Sequence, residues 1–155
     1  MARFKFALDP VLMHRKRIEE REQGNVAVAG RAHVAALDEF RRLDAAFAEH
    51  SLLLREQHRS LPVEELQLIY GHLSYLDRAM DAALRDVDAR KRELDAAMDV
   101  LHEAMKRRKV VESLKERGRV KFRLDLLRHE QNELDDGNAR RWERRTANPH
   151  EIGGQ

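Results

Sequence analysis

Apolar residues recur at intervals of seven in the middle of the chain. One series is made by Leu66, Leu73, Met80, Val87, Leu94 and Leu101, and a second follows it three residues later at Ile69, Leu76, Ala83, Ala97 and Ala104. Arg90 is the seam position that breaks the pattern. This spacing keeps an apolar seam on one side of a helix and is typical of a left-handed coiled coil. Because a helix with one open seam is not stable alone, the pattern predicts a second helix that covers it.

A second amphipathic pattern fills the first third of the chain. Asp9-Pro10 predicts the start of a helix, since Asp caps helices well and Pro suits the first helical position. Ser60-Leu61-Pro62 predicts the end of that helix and a short turn. Between these two signals, the apolar seam of the helix is expected to have small side chains in its first half and bulkier ones in its second. Its expected members are Val26, Ala29, Ala32, Ala36, Leu37, Phe40, Leu43, Phe47 and Leu54.

Together these patterns predict an all-α protein in which two long helices form an antiparallel coiled-coil hairpin. We expect a single domain over residues 1–145, with helix one at about 10–59, a turn at 60–62 and helix two at about 62–144. A disordered tail is expected at 146–155.

The second predicted helix is longer than the first, so that helix one reaches along it only to about residue 111. Past Val111 the seven-residue register is expected to fail, and a shifted apolar stripe appears at Val120, Leu124, Leu127 and Leu134. A bend is possible at Gly118, and a turn at 135–138 could end helix two early. We therefore expect the last 30 or so residues of helix two to need a partner chain, with a homo-oligomer through residues 111–145 as one possibility.

Charge and composition narrow the function class. The chain is 37% charged and 5% aromatic, which argues against a thick globular core. Residues 61–102 carry 5 basic and 9 acidic side chains, whereas residues 103–145 carry 14 and 9. A basic region could meet nucleic acid, membrane or an acidic protein surface. Nucleic acid is the unlikely choice, because the acids are interleaved and aromatic residues that could stack on bases are few.

Catalytic and metal-binding patterns are absent from the sequence. The eight His residues never form the i, i+4 pair with an intervening Glu of a helical zinc site, and no Gly-rich phosphate loop occurs. Two thin helices also offer no pocket that could desolvate a pair of carboxylates. We therefore expect no enzyme, no cofactor and no metal site. With no Cys and no membrane-spanning run, the expected location is the cytoplasm.

Three parts of the sequence together resemble one family. These are the opening from Phe4 to Leu12, the break at Leu61-Pro62, and the run from Leu114 through His129-Glu130-Gln131-Asn132-Glu133-Leu134-Asp135-Asp136. In combination they resemble the FliJ family of the bacterial flagellar type III export apparatus. The resemblance implies a coiled-coil stalk, peripherally associated with the inner-membrane apparatus, that binds the export ATPase hexamer, the export-gate protein and export chaperones. The equivalent stalk of a virulence injectisome remains an alternative, as does a generic basic coiled-coil protein or nucleic-acid adaptor.

The resemblance also implies two sets of contact residues. The ATPase end would comprise Arg117, Arg119, Lys121, Phe122, Arg123, Arg128, Gln131, Leu134, Arg140 and Arg141. The gate end would comprise Phe47, Tyr70, His72, Leu73, Tyr75, Leu76 and Ala79. Leu73 and Leu76 also belong to the predicted seam, so core packing is the alternative for these two. Trp142 is expected to be either an interface anchor or a ring packed under an arginine stem.

Overall fold

The computed structural model describes residues 3–57 and 59–147, with side chains as far as Trp142. Helix α1 spans Asp9–Gln57 (49 residues) and helix α2 spans Val63–Ala147 (85 residues). No strand occurs in this described part. The two helices contact each other as an antiparallel hairpin with the second helix longer, as predicted. Of the expected tail, Thr146 and Ala147 end α2, and residues 148–155 lie outside the described part.

Local hydrogen bonds define both ends of α1. The amide of Leu12 donates to the carbonyl of Leu8 at 2.9 Å, so the helix begins directly after Leu8. At the other end, the Ser60 amide and hydroxyl both donate to the Gln57 carbonyl at 2.9 Å. These bonds satisfy a carbonyl that the end of the helix leaves without a helical partner. The chain then reverses through Pro62 into α2.

Helix α2 runs without interruption through both of its late glycines. Gly118 and Gly137 are helical, and so are the residues between them. The possible early end of helix two at 135–138 is therefore wrong, and α2 continues as a helix through Gly118. Each glycine costs about 1 kcal/mol relative to Ala in a helix interior, an amount that a long helix tolerates.

The chain divides into two compact units. One consists of Met1–Met13 with Lys109–Gln155, and the other of His14–Arg108. In the second unit the buried apolar side chains are Ala36, Leu43, Leu76, Val87 and Ala104. In the first unit they are Leu12 and Val111. Among the described residues no large side chain is fully buried, so each unit is stabilised by a thin seam and not by a thick core.

The unit of Met1–Met13 and Lys109–Gln155 contains a contact that the sequence did not predict. Residues 3–8, which we call the strap, precede α1 and pack on α2. The rings of Phe4 and Phe122 lie 5.7 Å apart, and those of Phe4 and Phe6 lie 6.5 Å apart. Gly118 makes room for this packing, because a Cβ atom there would lie 3.2 Å from Cζ of Phe4.

As far as Phe122, the strap corrects the expectation that α2 lacks a partner in its own chain beyond residue 111. It also corrects the expected failure of the register. Lys115, Gly118 and Phe122 follow Val111 at the next seam positions, and all three are half-buried. The apolar pattern weakens there because a lysine and a glycine occupy seam positions, although the helix still presents the same side.

Candidate interaction surfaces

The predicted ATPase end is almost entirely exposed. Nine of its ten residues are exposed, and Phe122 is half-buried against Phe4 of the strap. Every described residue from 127 to 142 is exposed, including Trp142. The structure therefore leaves this stretch of α2 uncovered within its own unit.

The side of α2 opposite the strap carries an open apolar stripe, which comprises Val120, Leu124, Leu127 and Leu134. Their exposed fractions run from 44% to 68%. A shallow groove of about 370 Å³ lies beside the first two and includes Arg117, Lys121 and Arg128. This stripe was predicted from its spacing, and its exposure shows that the strap does not cover it.

Ion pairs compensate only some of the charges around the stripe. Glu116 lies 3.5 Å from Arg123 and 3.8 Å from Arg119, and Asp125 lies 3.8 Å from Arg128. Within the described part of the chain, Arg117 and Lys121 form no ion pair. The groove therefore has an excess of positive charge.

The predicted gate end separates into surface and seam residues. Tyr70, His72 and Tyr75 are exposed, and the ring of His72 stacks at 6.2 Å on that of Tyr75. His72 also meets His50 of α1 edge-on, with ring centroids 4.5 Å apart. These contacts join three exposed or half-buried rings into one cluster across the two helices.

The other four predicted gate-end residues face inward to different degrees. Leu76 is 3% exposed, which agrees with the alternative that it packs in the seam. Phe47, Leu73 and Ala79 are half-buried and keep part of their surface accessible. The accessible part of this end therefore depends mainly on its aromatic and imidazole rings.

Charged residues occupy seam positions in both units. In the unit of His14–Arg108, Nε of Arg108 donates a hydrogen bond to Oε2 of Glu19. In the other unit, Nζ of Lys115 in α2 lies 2.6 Å from Oδ1 of Asp9 at the start of α1 and 5.9 Å from the ring centre of Phe6. The thin seam thus contains ion pairs that cross from one helix to the other.

Glu22 is the second buried carboxylate of α1. Its Oε2 accepts a hydrogen bond of 2.7 Å from Asn25, and its Oε1 accepts two from Arg21. These bonds, with that from Asn25 the largest influence, lower the pKa of Glu22 from its ordinary value. Glu22 is therefore held as a carboxylate at neutral pH.

Counting only apolar residues missed the polar members of the α1 seam. Glu19 and His33 lie on one seven-residue series that starts at Leu12, and Glu22 lies on the parallel series three residues later. All are buried or half-buried. Extending the series without regard to residue type would have found them, because spacing determines the side of a helix on which a residue lies.

The described residues give no sign of a metal centre or a membrane span. No group of three or more His, Cys, Asp or Glu side chains in them is arranged to hold a metal ion. Neither helix, over the same residues, contains a segment apolar enough to cross a membrane. What these surfaces offer chemically is contact: an apolar stripe, exposed bases and a ring cluster.

Comparison with known proteins supports one family. A family model with the description "Flagellar FliJ protein" matches residues 4–147 of the 155. The matched range includes the strap, the turn and both helices. Searches of curated proteins and of solved structures gave no match.

Proposed function

Because that match covers nearly the whole chain, the protein belongs to the FliJ family and is a flagellar export-related protein. We propose that it acts as a coiled-coil stalk of the type III export apparatus. In this proposal the exposed end of α2 binds the export ATPase hexamer, and the turn end contacts the export-gate protein. Export chaperones bind the same protein. It works in the cytoplasm at the inner membrane and modulates hydrolysis at the sites of the ATPase.

The observation that carries the proposal is the uncovered end of α2. All described residues from 127 to 142 are exposed. They include two leucines, Leu127 and Leu134, and two adjacent arginines, Arg140 and Arg141. Apolar side chains next to arginines are typical of a surface that is completed by another protein, and arginine is enriched at interfaces. A partner with a central opening would cover such an end from several sides.

Truncation provides the main test of the ATPase contact. A chain that ends at Leu126 keeps the strap contact at Phe122 and loses the exposed end. We expect it to remain helical by circular dichroism, to lose binding to the purified export ATPase, and to leave the hydrolysis rate unchanged. If the full chain neither binds nor alters hydrolysis, or if the truncated chain binds equally well, the ATPase contact is refuted.

A charge reversal of matched size controls for nonspecific effects. Arg140→Glu with Arg141→Glu should weaken ATPase binding, because both residues lie at the proposed contact. Arg85→Glu with Arg92→Glu makes the same change of charge at exposed positions in the other unit, and it should leave binding intact. Equal losses in the two pairs would show that only net charge matters.

The gate contact is tested at the two exposed tyrosines of the predicted gate end. Tyr70→Ala and Tyr75→Ala should each weaken binding to the linker of the export-gate protein, because exposed aromatic rings provide large contact area at low entropy cost. Leu84→Ala removes a comparable exposed apolar group elsewhere on α2 and is the control. Unchanged gate binding by both tyrosine variants would contradict the proposed contact.

A further inference from the structure

The apolar stripe of Val120, Leu124, Leu127 and Leu134 has the spacing of a second coiled-coil seam. Its members lie four, three and seven residues apart, and Gln131 occupies the intervening position. This is a seven-residue repeat over 15 residues, or about 22 Å of helix. The stripe is therefore long enough to receive about two heptads of another helix.

This second seam is independent of the first. Phe122, which packs on the strap, lies two residues from both Val120 and Leu124, and residues two apart point about 200° away from each other around a helix. The strap covers one side of α2 and the stripe lies on the other. A partner helix can thus dock on the stripe while Phe4 and Phe122 stay in contact.

The charges beside the stripe indicate the chemistry of the partner. Arg117, Lys121 and Arg128 follow one another along a single edge, at intervals of four and seven residues. Glu116 lies near Arg119 and Arg123, and Asp125 lies near Arg128, whereas Arg117 and Lys121 form no ion pair in the described part of the chain. Over residues 116–128 the net charge is +3, with five basic and two acidic side chains.

A second copy of the chain fits this edge poorly. In an antiparallel pair of copies, the edge of one helix meets the same edge of the other, so Lys121 would face Arg128. In a parallel pair, Arg128 would face Arg123. Like charges at these flanking positions disfavour pairing, and opposite charges select the partner.

We propose that the stripe docks an amphipathic helix of another protein, with apolar residues at heptad spacing and Asp or Glu along the edge that meets Arg117, Lys121 and Arg128. The inference rests on the proposed function in placing a partner at this end of α2, and it adds the surface and the chemistry of that partner. In the complex, α2 would contact its own strap on one side and the helix of the partner on the other.

Two synthetic helical peptides of about three heptads serve as probes. Both have Leu at the core positions, and one has Glu and the other Lys at the flanking positions. Binding to the full-length protein is measured by fluorescence anisotropy at low salt. We expect the Glu peptide to bind and the Lys peptide not to bind; equal binding of the two, or binding of neither, overturns the proposal.

Substitutions in the full chain then locate the site. Leu124→Glu with Leu127→Glu should weaken binding of the Glu peptide by more than about tenfold. Leu84→Glu places the same acid at a comparably exposed leucine in the other unit and should leave binding unchanged. If the stripe variant binds as well as the control, the stripe is not the site.

Charge reversal and strap variants complete the test. Arg117→Glu with Lys121→Glu should reverse the preference, so that the Lys peptide binds better than the Glu peptide. Phe4→Ala should leave affinity unchanged, and a loss as large as that of the stripe variant would place the peptide on the strap side and overturn the proposal. A dimer of the unbound protein, seen by light scattering and abolished by the stripe variant, would make a second copy the occupant and would also overturn it. The export ATPase is not used, so the ATPase contact and this inference can fail separately.

Discussion

Removing Arg108 tests how the thin seam of the His14–Arg108 unit is stabilised. Its guanidinium donates to the carboxylate of Glu19, and the two side chains are 19% and 11% exposed. Arg108→Leu removes this donor and leaves the carboxylate in place at a buried position. Glu19 then keeps the cost of its desolvation but loses the guanidinium that offset it.

The size of the effect follows from the burial of the pair. Breaking a buried ion pair on one side costs about 3–5 kcal/mol. Because about a fifth of the Arg108 side chain meets water, we expect a loss near the lower limit, about 3 kcal/mol in the free energy of unfolding. Replacing both residues by Leu removes both desolvation costs, so the double variant should lie within about 1 kcal/mol of the parent or above it.

Urea unfolding followed by far-UV circular dichroism measures these differences, provided that the slopes with denaturant agree among the variants. Arg107→Leu is the matched control at the adjacent, exposed position, where a change within about 0.5 kcal/mol is expected. The reasoning is refuted if Arg108→Leu costs no more than Arg107→Leu. It is also refuted if the double variant is as unstable as the single one.

Three further predictions concern stability. In urea unfolding, Gly24→Ala should raise the free energy of unfolding by about 1 kcal/mol, because nothing lies within 4 Å of the new Cβ. Gly118→Ala should raise it by less, because its Cβ would lie 3.2 Å from the Phe4 ring of the strap. Equal increases would show that the ring moves freely. His33→Leu should raise the free energy of unfolding by about 1 kcal/mol, since Nδ1 is buried without a hydrogen-bond partner among the described residues, and a lower value would show that the imidazole is satisfied. The lowered pKa of Glu22 contributes stability that is present at neutral pH and is lost as the pH falls below 4.5 through the lowered value; Asn25→Ala should reduce this loss in thermal unfolding from pH 6 to pH 3, and an unchanged acid profile would contradict the assignment.

The hairpin could be predicted because its signal is regular and local. The series from Leu66 to Leu101 needs only counting, and Leu61-Pro62 marks the reversal without any knowledge of tertiary contacts. The strap has no such signal. Phe4 and Phe122 are 118 positions apart in the sequence, and an aromatic residue five positions before a helix has no periodicity from which its contact could be derived.

The interaction surfaces were predictable to the extent that spacing determines them. Tyr75 and Leu76 are adjacent in sequence, yet one is exposed and the other is 3% exposed, as expected for neighbours on different sides of a helix. The stripe at Leu124 and Leu127 could also be found by spacing. The side of α2 on which the strap packs could not be predicted from the sequence. A glycine at position 118 indicates the close approach of a ring only once the position of that ring is known.

The ion pair between Glu19 and Arg108 also bears on how the two helices are aligned lengthwise. When one helix slides by seven residues along the other, the apolar positions of two seams with a seven-residue repeat face each other again. Apolar contacts alone would therefore allow several alignments of the helices. A slide in either direction would set Arg108 opposite Leu12 or Val26, the residues seven before and seven after Glu19, and would separate its guanidinium from the Glu19 carboxylate. We expect the variant with Leu at both 19 and 108 to be as stable as its parent but to populate more than one alignment of the two helices. The buried ion pair therefore selects a single lengthwise alignment.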